Sequence, residues 1–388
     1  MGVTATQQSL RPAANAFTPV IGKLLRNERQ VWTFGHGRVL IDEFIDEIVF
    51  HGVECLVYER LDQLQDCPER LRAELQQRVL ARAAWELLHR NLISQALAAL
   101  AAAGIEALLF KGTALAYSLY ENPACRTRAD SDVLVGPEAA SRAIEVLQGI
   151  GFASEPHDEQ VIYYQLDLSD SSGNHIDLHW RINNSELLSR VFTAAELQQR
   201  ALPLPRLHVS ARAVDSVDAL IIACLHRGAH KKAPYHIAGR SEMTGDRLIW
   251  LYDIDQLVRY LPALKWREFI VRVQAKQLTG ICRESLQRAS AIFHTPLPSR
   301  WESMLADDRT SAPDRYFDAG AAHRLWLDFV ACESWRDRLH YSSRLIFPPA
   351  GYMQRKYGRS GLLWLPWLYL RRGIEGIVSR IPRQRGDE

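Results

Sequence analysis

Asp130, Asp132 and Asp177 are the residues of this chain best suited to hold a hard divalent cation. Asp130 and Asp132 stand two apart where a polar loop becomes a Val/Leu-rich segment, so on a strand both side chains leave one face. Asp177 lies in a second alternating segment, with Ile176, Leu178 and Trp180 pointing one way and Asp177 and His179 the other. If the two strands are neighbours, three carboxylates converge. Their mutual repulsion then calls for a cation: Mg²⁺, with Mn²⁺ as the alternative, completed by substrate phosphates. Such chemistry also needs an anion cradle. The apolar run from Ile105 to Phe110 ends in Lys111-Gly112-Thr113, where glycine lets the backbone approach a ligand and the next helix offers free N–H groups to phosphate oxygens. Lys111 would add a point charge and Thr113 a hydroxyl. Arg126 and Arg128, just before the carboxylates, would offset their repulsion or grip a triphosphate, with structural pairing the equal alternative. For Asp177 the alternative is a salt bridge to Arg128 or Arg181.

Several elements must position these groups. Residues 1 to about 20 carry little periodicity, and Ile21 to Arg60 is helical in pattern. Asp66 is expected to cap a long helix that runs through Leu71, Leu75, Val79, Trp85, Leu88 and Leu92 to an alanine-rich end at Gly104. Ile105 to Phe110 is the first core strand, Thr113 to Tyr120 a short helix, Ser131 to Val135 the second strand, and Pro137 to Gly151 another helix. Val161 to Leu168 and Asn174 to Ile182 form a hairpin around Ser169 to Gly173. Pro203-Leu204-Pro205 marks the exit from this core, and helices follow from Asp215 to about Arg344. The expected fold is α+β, a small mixed sheet with helices. Its divisions are 1–65, an N-terminal helical segment; 66–205, the core; 206–345, a C-terminal helical bundle; and 346–388, a basic and aromatic tail.

The order strand, Gly-small turn, helix, Asp-x-Asp, strand, third Asp resembles the nucleotidyltransferase superfamily with a DNA polymerase beta-like catalytic core. The wording of Gly104-Ile105-Glu106, Leu109 to Gly112, Leu115, Leu119-Tyr120, Pro123, Arg126 to Val135 and Ile176 to Trp180 is similar to one bacterial branch, the uncharacterised nucleotidyltransferase family. The resemblance covers roughly Ala101 to Ile182 well and reaches more faintly to about Leu257. It implies that Asp130 and Asp132 hold the metal bridging the triphosphate. Asp177 would bind the catalytic metal and help deprotonate an acceptor hydroxyl. The wider superfamily usually has Gly-Ser or Gly-Gly where this chain has Gly112-Thr113 after Lys111. The resemblance further suggests that the helix of His226 lines the nucleotide side, with His226, Lys231 and Asp253 as further candidates, and that His179 meets phosphate or base. The implied activity is transfer of an NMP from an NTP co-substrate to a hydroxyl or phosphate of a small-molecule, peptide or protein acceptor.

The remaining features narrow this reading. A net charge of +2 gives no general argument for nucleic-acid binding, which sets an RNA acceptor third behind a catalytically inactive binding or regulatory protein of the same fold. Six scattered cysteines without a C-x-x-C pair suggest neither zinc nor a disulfide framework, and so a reducing cytoplasm. His226 and His230 have a zinc-type spacing, but Arg227 stands where a zincin has glutamate. P-loop, dinucleotide and G-x-S-x-G patterns are absent, and no run reaches the ~18 apolar residues of a membrane span. The tail mixes Trp, Tyr and Leu with Arg and Lys. Packing of its aromatic face on the bundle is the favoured reading, over a membrane-surface or protein contact, because Pro366 interrupts any single amphipathic helix.

Overall fold

The computed structural model describes residues 17–154, 164–232, 235–237, 241–305, 311–348, 350–359 and 361–378. Expectations for residues 1–16, for Val161 to Tyr163 and for residues 379–388 of the tail lie outside the described residues. The chain groups into two units, each discontinuous in sequence. One comprises Met1–Gln95, Leu109–Ala129 and Ala201–Phe317; the other comprises Ala96–Leu108, Asp130–Arg200 and Asp318–Glu388.

The first unit is mainly helical. The helix Ser216–His230 begins where the Asp215 carboxylate accepts a hydrogen bond from the Asp218 backbone N–H at 2.8 Å. Its buried stripe of Val217, Leu220, Ile221, Cys224 and Leu225 packs on the helices Leu248–Tyr260 and Thr279–Phe293. Gly228 permits that approach, since a Cβ there would stand 2.7 Å from Ile281 Cδ1. Arg227, fully buried on the same helix, ties the three together. It donates to Asp246 at 2.7 and 2.8 Å, to Ser285 Oγ at 3.0 Å and to Glu284 at 3.2 Å. Leu109 pairs parallel with Ala213, and Leu202–Pro203 pairs antiparallel with Arg212–Ala213. A short hairpin, Tyr235–Ile237 with Ser241–Met243, was not foreseen.

Two local expectations need correcting here. Asp66 does not cap the long helix. Its backbone is left-handed (φ 58°), which aspartate tolerates in a turn, and the helix Glu69–Ala102 starts three residues later. Nor are the cysteines all unpaired: Cys55 and Cys125 form a disulfide across 70 residues, joining the helix Glu54–Tyr58 to the 3₁₀ turn Pro123–Cys125. A pairing over that distance leaves no spacing signal. The inference of a reducing compartment from scattered cysteines lapses with it.

The second unit contributes three strands to a mixed sheet, ordered Gln165–Ser169, His175–His179, Asp130–Leu134. The first pair is antiparallel around a turn in which Asp170 Oδ1 accepts from the backbone of Ser172 and Asn174 and Gly173 takes φ 80°. The second pair is parallel, in the register Asp130↔His175, Asp132↔Asp177 and Leu134↔His179. The chain returns between them by way of the helix Ala140–Gly149, whose Ala143, Ile144 and Leu147 are buried. Ile176 and Leu178, fully buried, hold one face of the central strand in the core. Further on, the helix Ala321–Ala331 is fixed to the turn before Glu186–Ser189, where Asp328 Oδ1 accepts from Ser185 Oγ (2.6 Å) and the Leu187 N–H (3.0 Å). A mixed sheet within a largely helical chain makes the fold α+β.

The tail departs from its expected packing. Pro366 sits at the start of the helix Leu365–Val378, where its missing N–H costs nothing, so it opens a helix rather than breaking one. Met353 and Leu368 are buried, but Trp364, Trp367, Leu363 and Leu370 face solvent.

Candidate functional site

In the second unit, the parallel ladder sets Asp132 and Asp177 side by side on adjacent strands. Paired residues in a ladder share a face, so their carboxylates leave together. The antiparallel ladder adds Asp167 opposite Asp177, giving a row of Asp167, Asp177 and Asp132 across three strands. Two residues on from Asp177, His179 is buried, with Nε2 3.0 Å from Asp132 Oδ1. One donor atom each from Asp132, Asp177 and His179 lies within 4.8 Å of the other two. Ligands at 2.0–2.6 Å around one divalent ion stand about that far apart, so this donor set fits such an ion. Asp130, two pairs along at the strand start opposite His175, is outside that group of three.

The face is electrostatically negative, and a neighbouring group records it. His175 binds its proton more tightly than usual, chiefly through the hydrogen bond from its Nδ1 to Asp167 (3.0 Å), and also through the charges of Asp167, Asp130 and Asp177. Asp167 was not anticipated as part of this row. The signal was present, since Gln165, Asp167 and Ser169 alternate with Leu166 and Leu168, but an exposed carboxylate on a hairpin ordinarily reads as solvated.

In the first unit, Lys111 opens the helix Lys111–Ser118 with a left-handed backbone (φ 57°). A non-glycine residue held there carries about 1–2 kcal/mol of strain, a pattern concentrated at functional positions. Gly112 has a packing reason. A Cβ would sit 3.3 Å from Arg128 Cδ, so glycine lets the Arg128 side chain lie against the helix. Thr113 is fully buried, and its hydroxyl accepts from Arg128 Nε at 2.9 Å. Arg128 also donates to Glu86 at 2.7 Å, and Glu86 in turn accepts from Tyr117 OH at 2.7 Å. Burial and the Glu86 carboxylate raise the Tyr117 hydroxyl pKa well above its usual range. Glu86 was missed because it lies mid-helix, where a partner 42 residues away leaves no trace in the local pattern.

Arg126 grips Asp253 through Nε (2.8 and 2.9 Å) and Nη2 (2.7 Å), and Tyr120 OH donates to the same carboxylate at 2.6 Å. Lys111, Arg126, His226, Trp250 and Asp253 line one cavity of about 20 Å³, room for a water but not for a nucleoside. His226 and His230 lie against Trp250, with ring centroids 5.5 and 6.1 Å away. Lys231 lies apart from that cavity, its ammonium 2.7 and 2.8 Å from the Glu284 oxygens. A larger cleft of about 540 Å³ opens beside Arg60, Tyr252 and Arg259. It lies over helix C-termini, where Arg26 and Arg259 satisfy the carbonyls of Ile292 and Phe293, and it holds none of the residues singled out by the sequence.

A family model described as an uncharacterised nucleotidyltransferase matches residues 38–294. The chain belongs to this family. A search among curated proteins returns no match. The matched span of this nucleotidyltransferase contains every candidate named above, from Glu86 through Asp253 to Glu284, and stops short of the tail helices. Family membership makes the protein a transferase of nucleotidyl groups.

Proposed function

We propose that this protein transfers a nucleoside monophosphate from an NTP to a hydroxyl or phosphate of a small-molecule, peptide or protein acceptor, and that it does so with Mg²⁺. The sheet is read as a polymerase-beta-like core. The observation that carries the proposal is the side-by-side pairing of Asp132 and Asp177, two carboxylates on one face with donor atoms close enough for one divalent ion. In this reading Asp132 and Asp177, with Asp130 at the strand start, hold the ion. A bound divalent ion supplies charge stabilisation on the transferred phosphoryl group and the leaving pyrophosphate. Asp177 accepts the proton of the acceptor hydroxyl, while His179 orients the Asp132 carboxylate through its 3.0 Å contact. Lys111, by its ammonium, and the glycine turn, by its backbone N–H groups, have the chemistry to meet phosphate oxygens. Arg126 and Arg128, each engaged by a buried carboxylate, hold that turn in place. A cytoplasmic location, where NTPs and Mg²⁺ are plentiful, is what this reading calls for.

The test is the melting temperature of the full chain with each of ATP, GTP, CTP and UTP, with and without Mg²⁺. An NTP at a hundred times its Kd adds about 2.7 kcal/mol. That is a rise of about 3 °C for a chain of 388 residues. We expect one nucleotide to give this rise only with Mg²⁺, and the isosteric Asp132→Asn/Asp177→Asn, with a cooperative nucleotide-free melt showing that it folds, to lose it. No rise with any NTP, or one that survives in the double variant, overturns the reading.

A further inference from the structure

The last part of the chain carries a charge opposite to the rest. Residues 334–388 hold eleven Lys and Arg against four Asp and Glu, a net charge of +7 in a chain of net +2, so residues 1–333 are net −5. The same part exposes aromatic and aliphatic side chains in an ordered way. On the helix Trp335–Ile346, Trp335 (70% exposed), Leu339 and Ile346 are four and eleven residues apart, which places them on one face. Around the start of the helix Leu365–Val378, Leu363 (96% exposed), Trp364, Trp367 and Leu370 are exposed, while Leu368 on the other side is buried. A water-facing amphipathic helix ordinarily buries its apolar stripe and exposes its charges. Here both helices turn an apolar stripe to solvent and set cations along its border. Arg338 lies over Trp335 (5.1 Å), Arg359 over Trp364 (4.8 Å), and Arg371 over Trp367 (5.6 Å) and Tyr357 (4.7 Å).

We propose that these two helices dock the protein onto an anionic phospholipid surface. Indole rings partition to the headgroup level, leucine and isoleucine reach the acyl boundary beneath it, and arginines bordering the rings meet lipid phosphates. Charge complementarity selects this occupant over the others. A second copy of the chain would bring a +7 segment against a +7 segment. A single-stranded nucleic acid would match the charge and stack on the tryptophans, but it offers nothing to Leu339, Ile346, Leu363 and Leu370. No helix among the described residues is long and apolar enough to cross a membrane, so the association is peripheral. The docking face lies outside the span matched by the family model and does not depend on the nucleotide chemistry.

The experiment is co-sedimentation of the full chain with sucrose-loaded vesicles of phosphatidylcholine alone, or of phosphatidylcholine mixed with phosphatidylglycerol. It compares the wild type with Trp364→Ser/Trp367→Ser and with Arg359→Glu/Arg371→Glu. All four positions are exposed, and unchanged melting temperatures would show that the variants fold. We expect at least tenfold tighter binding to the anionic vesicles, a blue shift of tryptophan emission on binding, and at least a tenfold loss in each variant. Raising the salt should weaken wild-type binding. Equal binding to both vesicle types, or anionic binding that survives in both variants, overturns the proposal. Polyuridylate that binds as tightly as the anionic vesicles would reassign the surface to nucleic acid. Vesicle-free dimerisation abolished by the tryptophan variant would reassign it to self-association.

Discussion

The Arg128–Glu86 pair makes a quantitative claim about what holds the Lys111 turn. Arg128 and Glu86 expose only 3% and 8% of their side chains, and the guanidinium is surrounded by Glu86, Thr113 Oγ1 and the carbonyls of Pro123 and Arg126. Glu86→Gln keeps an acceptor for Tyr117 but leaves a buried cation without its counter-charge. Breaking a buried pair in this way costs about 3–5 kcal/mol, and the retained amide oxygen sets the lower end, about 3 kcal/mol. Arg128→Met leaves the Glu86 carboxylate with the Tyr117 hydroxyl at 2.7 Å as its remaining donor, a loss of about the same size. The double variant removes both charges, so it should be more stable than the sum of the two losses by about 2 kcal/mol. Urea midpoints at constant m measure each corner of the cycle. A Glu86→Gln loss below about 1 kcal/mol, or strict additivity in the double variant, would refute a dry, charge-paired network behind the turn. The same proteins also bear on the role of Arg128. An Mg²⁺-dependent NTP shift retained in the double variant makes Arg128 a scaffold residue, and its loss there makes Arg128 a phosphate contact.

Two further outcomes follow from the first unit. The Cys55–Cys125 disulfide closes a loop of 70 residues, worth about 4 kcal/mol on a chain-entropy estimate. Dithiothreitol should therefore lower the melting temperature by roughly 5 °C, while Cys55→Ser/Cys125→Ser should melt at the reduced value with or without it. Thiol titration of the denatured, unreduced chain should find four of the six cysteines, and finding six would dismiss the bridge. Around Asp246, burial pushes the carboxyl pKa upward. Hydrogen bonds and charge from Arg227 and Arg288 outweigh it and hold the group below the usual aspartate range. A pKa depressed by folding gives stability that is present above the unfolded value and is lost as pH falls through the folded one. Melting temperature should thus drop between about pH 5 and about pH 3, and drop less steeply in Asp246→Asn, which starts lower at neutral pH. Parallel profiles for the two proteins would contradict this.

What could be read in advance was what a short stretch encodes. The alternation of Ile176 and Leu178 with Asp177 and His179 fixes which side chains share a face, and Asp130 and Asp132 at a strand entry do the same. Both expectations met in one ladder. What could not be read depends on partners far along the chain. Glu86 meets Arg128, Asp253 meets Arg126, and Cys55 meets Cys125, each over more than forty residues. Gly112 was read for phosphate, yet the space it leaves is taken by Arg128, a contact that only tertiary packing creates. Lys231 reads as a free cation on a helix face until Glu284, fifty-three residues on, is brought against it. The tail failed for another reason. Pattern alone shows that a helix has an apolar stripe, but not whether that stripe turns inward.

The ladder that pairs Asp132 with Asp177 also ties the fidelity of the chemistry to that of folding. Side chains alternate with period two, so a slip of one residue along the central strand would turn Asp177 and His179 inward and bring Ile176 and Leu178 out. Such a sheet would not be a poorer version of the site. It would display a greasy surface, drive the Asp177 carboxylate into the core and part His179 from Asp132. The two buried aliphatic residues therefore act as a proofreading step: a chain that misaligns them loses its core and its carboxylate row together. Any measurement of turnover on this protein is then also a measurement of how large a fraction of its molecules folded in register.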